Sequence, residues 1–144
     1  MIFSKKCEHA IKALIYLSFE GNVDKKLGVK QIASHIDSPV QFTSKILQEL
    51  AKFKVVSSSK GAGGGFYLTE LQRNIAVADV IEIIDGKTLF ETCGLGLKKC
   101  SSVKPCPIHH ELKAYAGQLK LLLAAKSIAD LAKGVSVGIN FIKD

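Results

Sequence analysis

The chain's 144 residues, 47% hydrophobic and 23% charged, suit one domain that buries its own core without disulfides, and they exclude a disordered, collagen-like or coiled-coil fibre. Lys12, Lys120 and Lys126 break the apolar stretches short of the roughly 18–20 residues a membrane span needs; the N-terminal segment lacks the order of a secretory signal, so a cytoplasmic protein with no membrane role is expected. Twenty Lys plus Arg against thirteen Asp plus Glu give a net charge of +7, which favours a polyanionic partner.

That excess is concentrated, because residues 1–60 hold ten basic and five acidic side chains and the remainder ten and eight. Arg73 is the one arginine, so the basic surface consists of lysine point charges and offers almost no planar fork for bidentate reading of guanine. In chain order, Ser4 is placed to cap a first helix running to about residue 19, with Cys7, Ala10, Leu14 and Leu17 on one stripe. Residues 21–28 read as a polar loop or short strand. A second helix over residues 30–36 turns Ile32, Ala33 and Ile36 inward and stops at Asp37-Ser38-Pro39, since the residue before a proline is pushed out of the helical region.

A third helix, over residues 40–53, carries Val40, Ile46, Leu47, Leu50 and Phe53 on one face and Gln41, Ser44, Lys45, Gln48 and Lys52 on another. A short helix, a tight turn and a helix with a polar, non-acidic stripe describe a helix-turn-helix, whose second helix lies in the major groove. Gln41, Thr43, Ser44, Lys45 and Gln48 are the residues expected to reach DNA, with Lys30 on the preceding helix. A solvated surface face is the alternative for a polar stripe taken alone.

The segment that follows favours DNA. Residues 55–59 and 65–68 are β-rich runs around a glycine turn, a hairpin whose tip can press Ser59, Lys60, Gly61, Gly63 and Gly64 against a phosphate or into a minor groove. The glycine run has no Gly-Lys-Ser/Thr ending and leads into no helix, so a nucleotide-enzyme phosphate loop is rejected. The fold class is therefore mainly α with a small β-hairpin wing, a winged helix-turn-helix followed by a long C-terminal helix.

Lys30-Gln31-Ile32-Ala33, the Pro39 turn, Leu47-Gln48-Glu49-Leu50, Val55-Val56-Ser57-Ser58 and Lys60-Gly61-Ala62-Gly63-Gly64-Gly65-Phe66 resemble the Rrf-two family of bacterial transcription regulators, which includes iron–sulfur, nitric-oxide and cysteine-metabolism regulators. The resemblance extends over nearly the whole chain and implies a dimeric DNA-binding regulator. Members commonly carry arginine where this chain has Lys60.

Beyond the wing, residues 75–84 place Val77, Val80, Ile81 and Ile84 at helical spacing, and Asp85-Gly86 ends that helix. Leu112, Tyr115, Ala116, Leu119, Leu122, Leu123 and Lys126 trace a helix of about five turns by spacing. Its apolar face needs a partner, and a second copy of the chain is the natural candidate. In the resembled family this helix forms the dimer interface, which implies two recognition helices about one DNA turn apart and a palindromic operator. Ser127 then caps a short helix over residues 128–133, before an apolar tail, residues 135–142, for which burial is the simplest role. The expected organisation is a winged domain at 1–86, a cysteine-rich sensor loop at 87–110, and the dimerisation helix with its tail at 111–144.

Three of the four cysteines, Cys93, Cys100 and Cys106, are spaced C-x6-C-x5-C, and His109 follows after two intervening residues. In a cytosolic chain such a cluster reads as metal-binding or redox-active rather than disulfide-bonded. Cys7, alone on the inward stripe of the first helix, reads as a buried structural thiol. Lys98, Lys99 and Lys104 would lower the clustered thiol pKa values and offset the charge of bound thiolates. The family resemblance implies an iron–sulfur cluster, of 2Fe–2S type, with Cys93, Cys100 and Cys106 as ligands and His109 as the fourth; His110 and Glu8 are alternatives, an acidic residue near Glu8 completing the cluster from the other subunit in the nitric-oxide sensors. The gap from Cys93 to Cys100 is one residue longer than in the iron–sulfur-regulator loop. Zinc, free thiols and a cluster-free regulator or adaptor controlled by a partner protein remain open. An enzyme is not expected, because no C-x-x-C pair and no set of nucleophile, base and orienting acid is present.

Overall fold

Helix α1, Lys5–Leu17, starts where Ser4 accepts a hydrogen bond from the Cys7 backbone N–H, an N-cap that satisfies one orphan donor of the first turn. Cys7, Ala10, Leu14 and Leu17 are buried, which makes α1 the central helix of the core. The chain comes from a computed structural model that describes residues 2–98, 101–138 and 140–143. A 3-10 turn, Glu20–Asn22, leads to α2, Val29–His35, and α3, Val40–Lys52. Between α2 and α3, Asp37 takes a positive φ of 53°, a conformation Asp tolerates better than most residues, and Pro39 then sets the first turn of α3.

Both helices pack on α1 through Ile32, Ile36, Ile46, Leu47 and Leu50, and each fully buried Leu or Ile contributes about 1.5–3 kcal/mol by leaving water. An ion pair from Lys6 to Glu49 at 3.2 Å ties α1 to α3 on the surface side. After α3, Lys54 turns the chain with φ 60° into an antiparallel hairpin, β1 (Ser57–Ser59) with β2 (Gly65–Tyr67), in the register Ser57–Tyr67, Ser58–Phe66, Ser59–Gly65. Buried Val55, Val56 and Leu68 anchor its base. Helix α4, Glu70–Arg73, begins with a capping box between Thr69 and Gln72. The Gln72 side chain also donates to the Lys54 carbonyl at 3.0 Å and accepts from the Ser57 hydroxyl at 2.9 Å, locking the hairpin base to α4.

Helix α5, Val77–Asp85, buries Val77, Val80, Ile81 and Ile84 and ends at Gly86, whose φ of 72° favours glycine. Helix α6, Thr88–Glu91, a short element not expected from the sequence, packs on α7, His109–Ala124. The last helix, α8 (Ile128–Ser136), runs beyond its expected end and packs on α1, and Val77 N–H donates to the Lys126 carbonyl at 2.9 Å across the α5/α8 junction.

Two expectations about burial are corrected. Val40 and Phe53 are 43% and 51% exposed, because Val40 is the first residue of α3, ahead of the turns that meet α1, and Phe53 follows its last. The apolar C-terminal tail is not buried as expected either. Val135 belongs to α8, while Val137 and Phe141 project from the surface.

Candidate functional site

On α3 the inward positions Thr43, Ile46, Leu47 and Leu50 are buried, while Gln41, Lys45 and Gln48 are exposed and Ser44 half-buried. The outward residues recur at three- and four-residue spacing, so they share one face. Gln48 donates to the Ser44 hydroxyl at 3.2 Å, which holds an amide and a hydroxyl side by side beside the Lys45 ammonium. Such a stripe supplies donors and acceptors for base edges and a cation for phosphate. Lys30 is exposed on α2.

Thr43 does not belong to this face. It is 1% exposed, and its hydroxyl donates to the Pro39 carbonyl at 2.9 Å, so the side chain completes the start of α3 from within. The expectation that its side chain reaches DNA is corrected: a threonine carries both a methyl and a hydroxyl, and here the core takes both.

At the hairpin tip, Lys60 and Gly61 are exposed and the chain turns through Gly61 (φ 88°) and Gly63 (φ 75°). Gly64 admits no side chain, since a Cβ there would lie 2.3 Å from the Ser59 carbonyl oxygen. The tip is therefore slender, its backbone and Lys60 being the groups it offers. The hairpin has a neighbour the sequence did not reveal: Leu27 N–H donates to the Phe66 carbonyl at 2.9 Å, and Phe66 N–H donates to the Leu27 carbonyl at 2.8 Å. The alternation in Lys26-Leu27 is too short for periodicity to detect.

The second candidate region lies between α6 and the start of α7. A cavity of about 230 Å³ is lined by Phe90, Cys93, Gly94, Cys106, His109 and Leu112, among others. The backbone N–H groups of Leu97 and Leu95 lower the Cys93 pKa, against the opposing effect of burial, and the Cys106 thiol and the Gly96 N–H lower it further. Cys106 is half-buried, and His109, the first residue of α7, is buried with Nε2 3.4 Å from the Ser102 hydroxyl.

Three of the expected ligands, Cys93, Cys106 and His109, thus line one cavity, although among the described residues no three His, Cys, Asp or Glu side chains converge enough to hold an ion. Cys100 lies outside the described residues. His110 is exposed and does not line the cavity, and Glu8 is on α1, paired with Lys5 at 3.1 Å. Two thiols and an imidazole around one cavity form a soft donor set that fits an iron–sulfur cluster or zinc. Cys7 differs chemically: burial, then the neighbouring Asp85 carboxylate, pushes its thiol up to about 12, so it stays protonated and inert.

A family profile described as Rrf2, iron-dependent transcriptional regulator, matches residues 3–134. The chain belongs to the Rrf2 family. It is 35% identical over 133 residues to a putative HTH-type transcriptional regulator of Aquifex aeolicus, covering 91% of each chain. Among solved structures, T. potens IscR superposes with a TM-score of 0.73 at 22% identity, covering 96% of this chain and 90% of that one. CymR, the global cysteine regulator of B. subtilis, superposes at 0.71 with 18% identity, over 91% and 95%. These two likenesses establish the winged fold. As an Rrf2 protein the chain is a DNA-binding transcription regulator and not an enzyme, and no described helix is long and apolar enough to cross a membrane.

Proposed function

We propose that the protein acts as a cytoplasmic homodimer that binds a palindromic DNA operator and whose affinity responds to an iron–sulfur cluster at Cys93, Cys100, Cys106 and His109. The observation that carries the DNA reading is the exposed row Gln41, Ser44, Lys45 and Gln48 on a helix whose other face is sealed in the core. Helix α3 enters the major groove with this row, while Ser59, Lys60, Gly61, Gly63 and Gly64 of the wing and Lys30 of α2 engage the flanking backbone and minor groove.

Dimerisation rests on the apolar surface of α7, where Tyr115, Leu121 and Leu122 remain exposed at 61%, 73% and 58%. A second copy covers that surface and sets the two recognition helices about 34 Å apart, one turn of duplex. The cluster reading rests on the Cys93–Cys106 pair with His109 in one cavity and on the family's description as iron-dependent. When bound, a cluster of 2Fe–2S type would supply redox-sensitive iron. Its loss would free the loop ahead of α7, change the dimer geometry and so alter DNA affinity.

One anaerobic preparation tests both parts. Selection from a duplex pool is expected to yield a palindrome bound with steep salt dependence, and replacing Lys45 and Gln48 with Ala is expected to cost about 1–3 kcal/mol without unfolding the chain. The same sample is expected to be coloured, with iron and sulfide in equal amounts. A colourless, iron-free protein with no spectrum after reconstitution eliminates the cluster, and zinc in its place identifies a tetrahedral structural site.

A further inference from the structure

We propose that Lys26, in the segment ahead of α2 that bridges to β2, delivers its ammonium to a duplex phosphate beside Ser59 of the wing. The inference rests on the DNA-binding reading above and extends it to a part of the chain that reading leaves unused. The backbone supplies the first argument. Leu27 bridges to Phe66 in antiparallel fashion on the edge of β2 away from β1, so the backbone at Lys26 and Leu27 runs alongside the hairpin.

Side chains alternate along such extended backbone. Leu27 is buried at 3% and Phe66 packs against the core, which turns the next position, Lys26, to the face shared with Tyr67, Ser57 and Ser59. The observed contacts follow this register. Lys26 Nζ donates to the Ser59 hydroxyl at 3.3 Å and stands 5.7 Å from the centroid of the Tyr67 ring. Gly65, the partner of Ser59 across the hairpin, has no side chain to obstruct the reach of the lysine.

The chemistry points to phosphate. An ammonium carries three donors. Ser59 takes one of them and the Tyr67 ring face attracts the charge, while among the described residues no carboxylate lies within ion-pair distance of Lys26. Because Ser59 accepts from Lys26, its own hydroxyl proton is available as a donor toward the same anion. The lysine stem is already laid along the sheet, so a phosphate contact orders less side chain than it would with a freely rotating lysine. Lys60 follows Ser59 directly in the chain. The Lys26 ammonium and the Ser59 hydroxyl thus meet on one face of the wing, next to the turn that carries Lys60, an arrangement suited to phosphate rather than to base edges.

The test uses the full-length protein and a mixed-sequence duplex pool, with affinity measured over a range of salt concentrations. Lys26→Gln keeps a donor for Ser59 but removes the charge. It is expected to weaken binding several-fold at low salt, evenly across sequences, and to make the slope of log affinity against log salt shallower by about 0.9 for each protomer engaged. Lys26→Arg is expected to restore the slope. Lys26→Met, which retains the stem over Tyr67, is expected to reproduce the Gln result with an unchanged thermal midpoint, which a purely structural brace would not do. A wild-type slope in both neutral variants overturns the proposal and leaves the regulator reading intact. Wild-type protein with no salt-dependent DNA binding overturns both.

Discussion

Thr43 and Lys45 stand two positions apart on α3 and face opposite ways. Two residues of helix span about 200°, so one is sealed at 1% exposure and the other lies in solvent. The Thr43 hydroxyl donates to the Pro39 carbonyl, which also accepts from the Thr43 backbone N–H at 2.9 Å. Thr43→Val removes one hydrogen bond and leaves that carbonyl satisfied, so urea unfolding is expected to show a loss of about 1 kcal/mol with unchanged DNA affinity. A fall in affinity without a fall in stability would return Thr43 to the DNA-facing set. Its burial was not legible because threonine is common on both faces of a helix, and a polar stripe five residues wide does not say where the core stops. Lys45, with no way to bury its charge unpaired, was legible for the complementary reason.

The helix ends show the same division at the next level up. Ser4 and Ser127 each cap the helix the sequence placed after them, since a hydroxyl just ahead of an apolar-periodic run is a local signal. At α8 the box is reciprocal: Asp130 N–H donates to the Ser127 hydroxyl at 3.1 Å, and Ser127 N–H donates to the Asp130 carboxylate at 2.9 Å. The Ser127 backbone N–H, then its hydroxyl, holds the Asp130 pKa below its ordinary 3.8. A carboxylate with a lowered folded-state pKa stabilises the protein above its unfolded pKa and loses that contribution as pH falls through the folded value. Thermal midpoints are therefore expected to fall on acidification below about pH 4, with Ser127→Ala lowering stability by about 1 kcal/mol at neutral pH and weakening the acid dependence. Because the Ser127 backbone N–H survives in that variant, Asp130→Asn tests the source, and a parallel pH profile there would remove the box. The pairing of Leu27 had no such local signal, because its partner Phe66 lies 39 positions along the chain and only the folded wing brings the two backbones together.

Across the molecule, the apolar surface of α7 is divided between two duties. Ala116, Leu119 and Leu123 are partly covered by the chain itself, whereas Tyr115, Leu121 and Leu122 stay exposed. Leu122→Glu places a charge on the uncovered side, so the proposed dimer is expected to dissociate to monomer in sedimentation, with operator affinity falling as the paired half-sites are lost. A variant that sediments like the wild type would move the interface elsewhere. Six helices (α1, α2, α3, α5, α7 and α8), the glycine-tipped hairpin and the cysteine spacing were all readable in one dimension, because hydrophobic period, capping residues and glycine conformation act over a few neighbouring positions. Distance in the chain hid the rest. The depth of Thr43, the exposure of Phe53 and Phe141, the gathering of Cys93, Cys106 and His109 round one cavity and the bridge from Leu27 to Phe66 depend on which segments pack together, and packing free energy comes from surfaces far apart in sequence that no local pattern records.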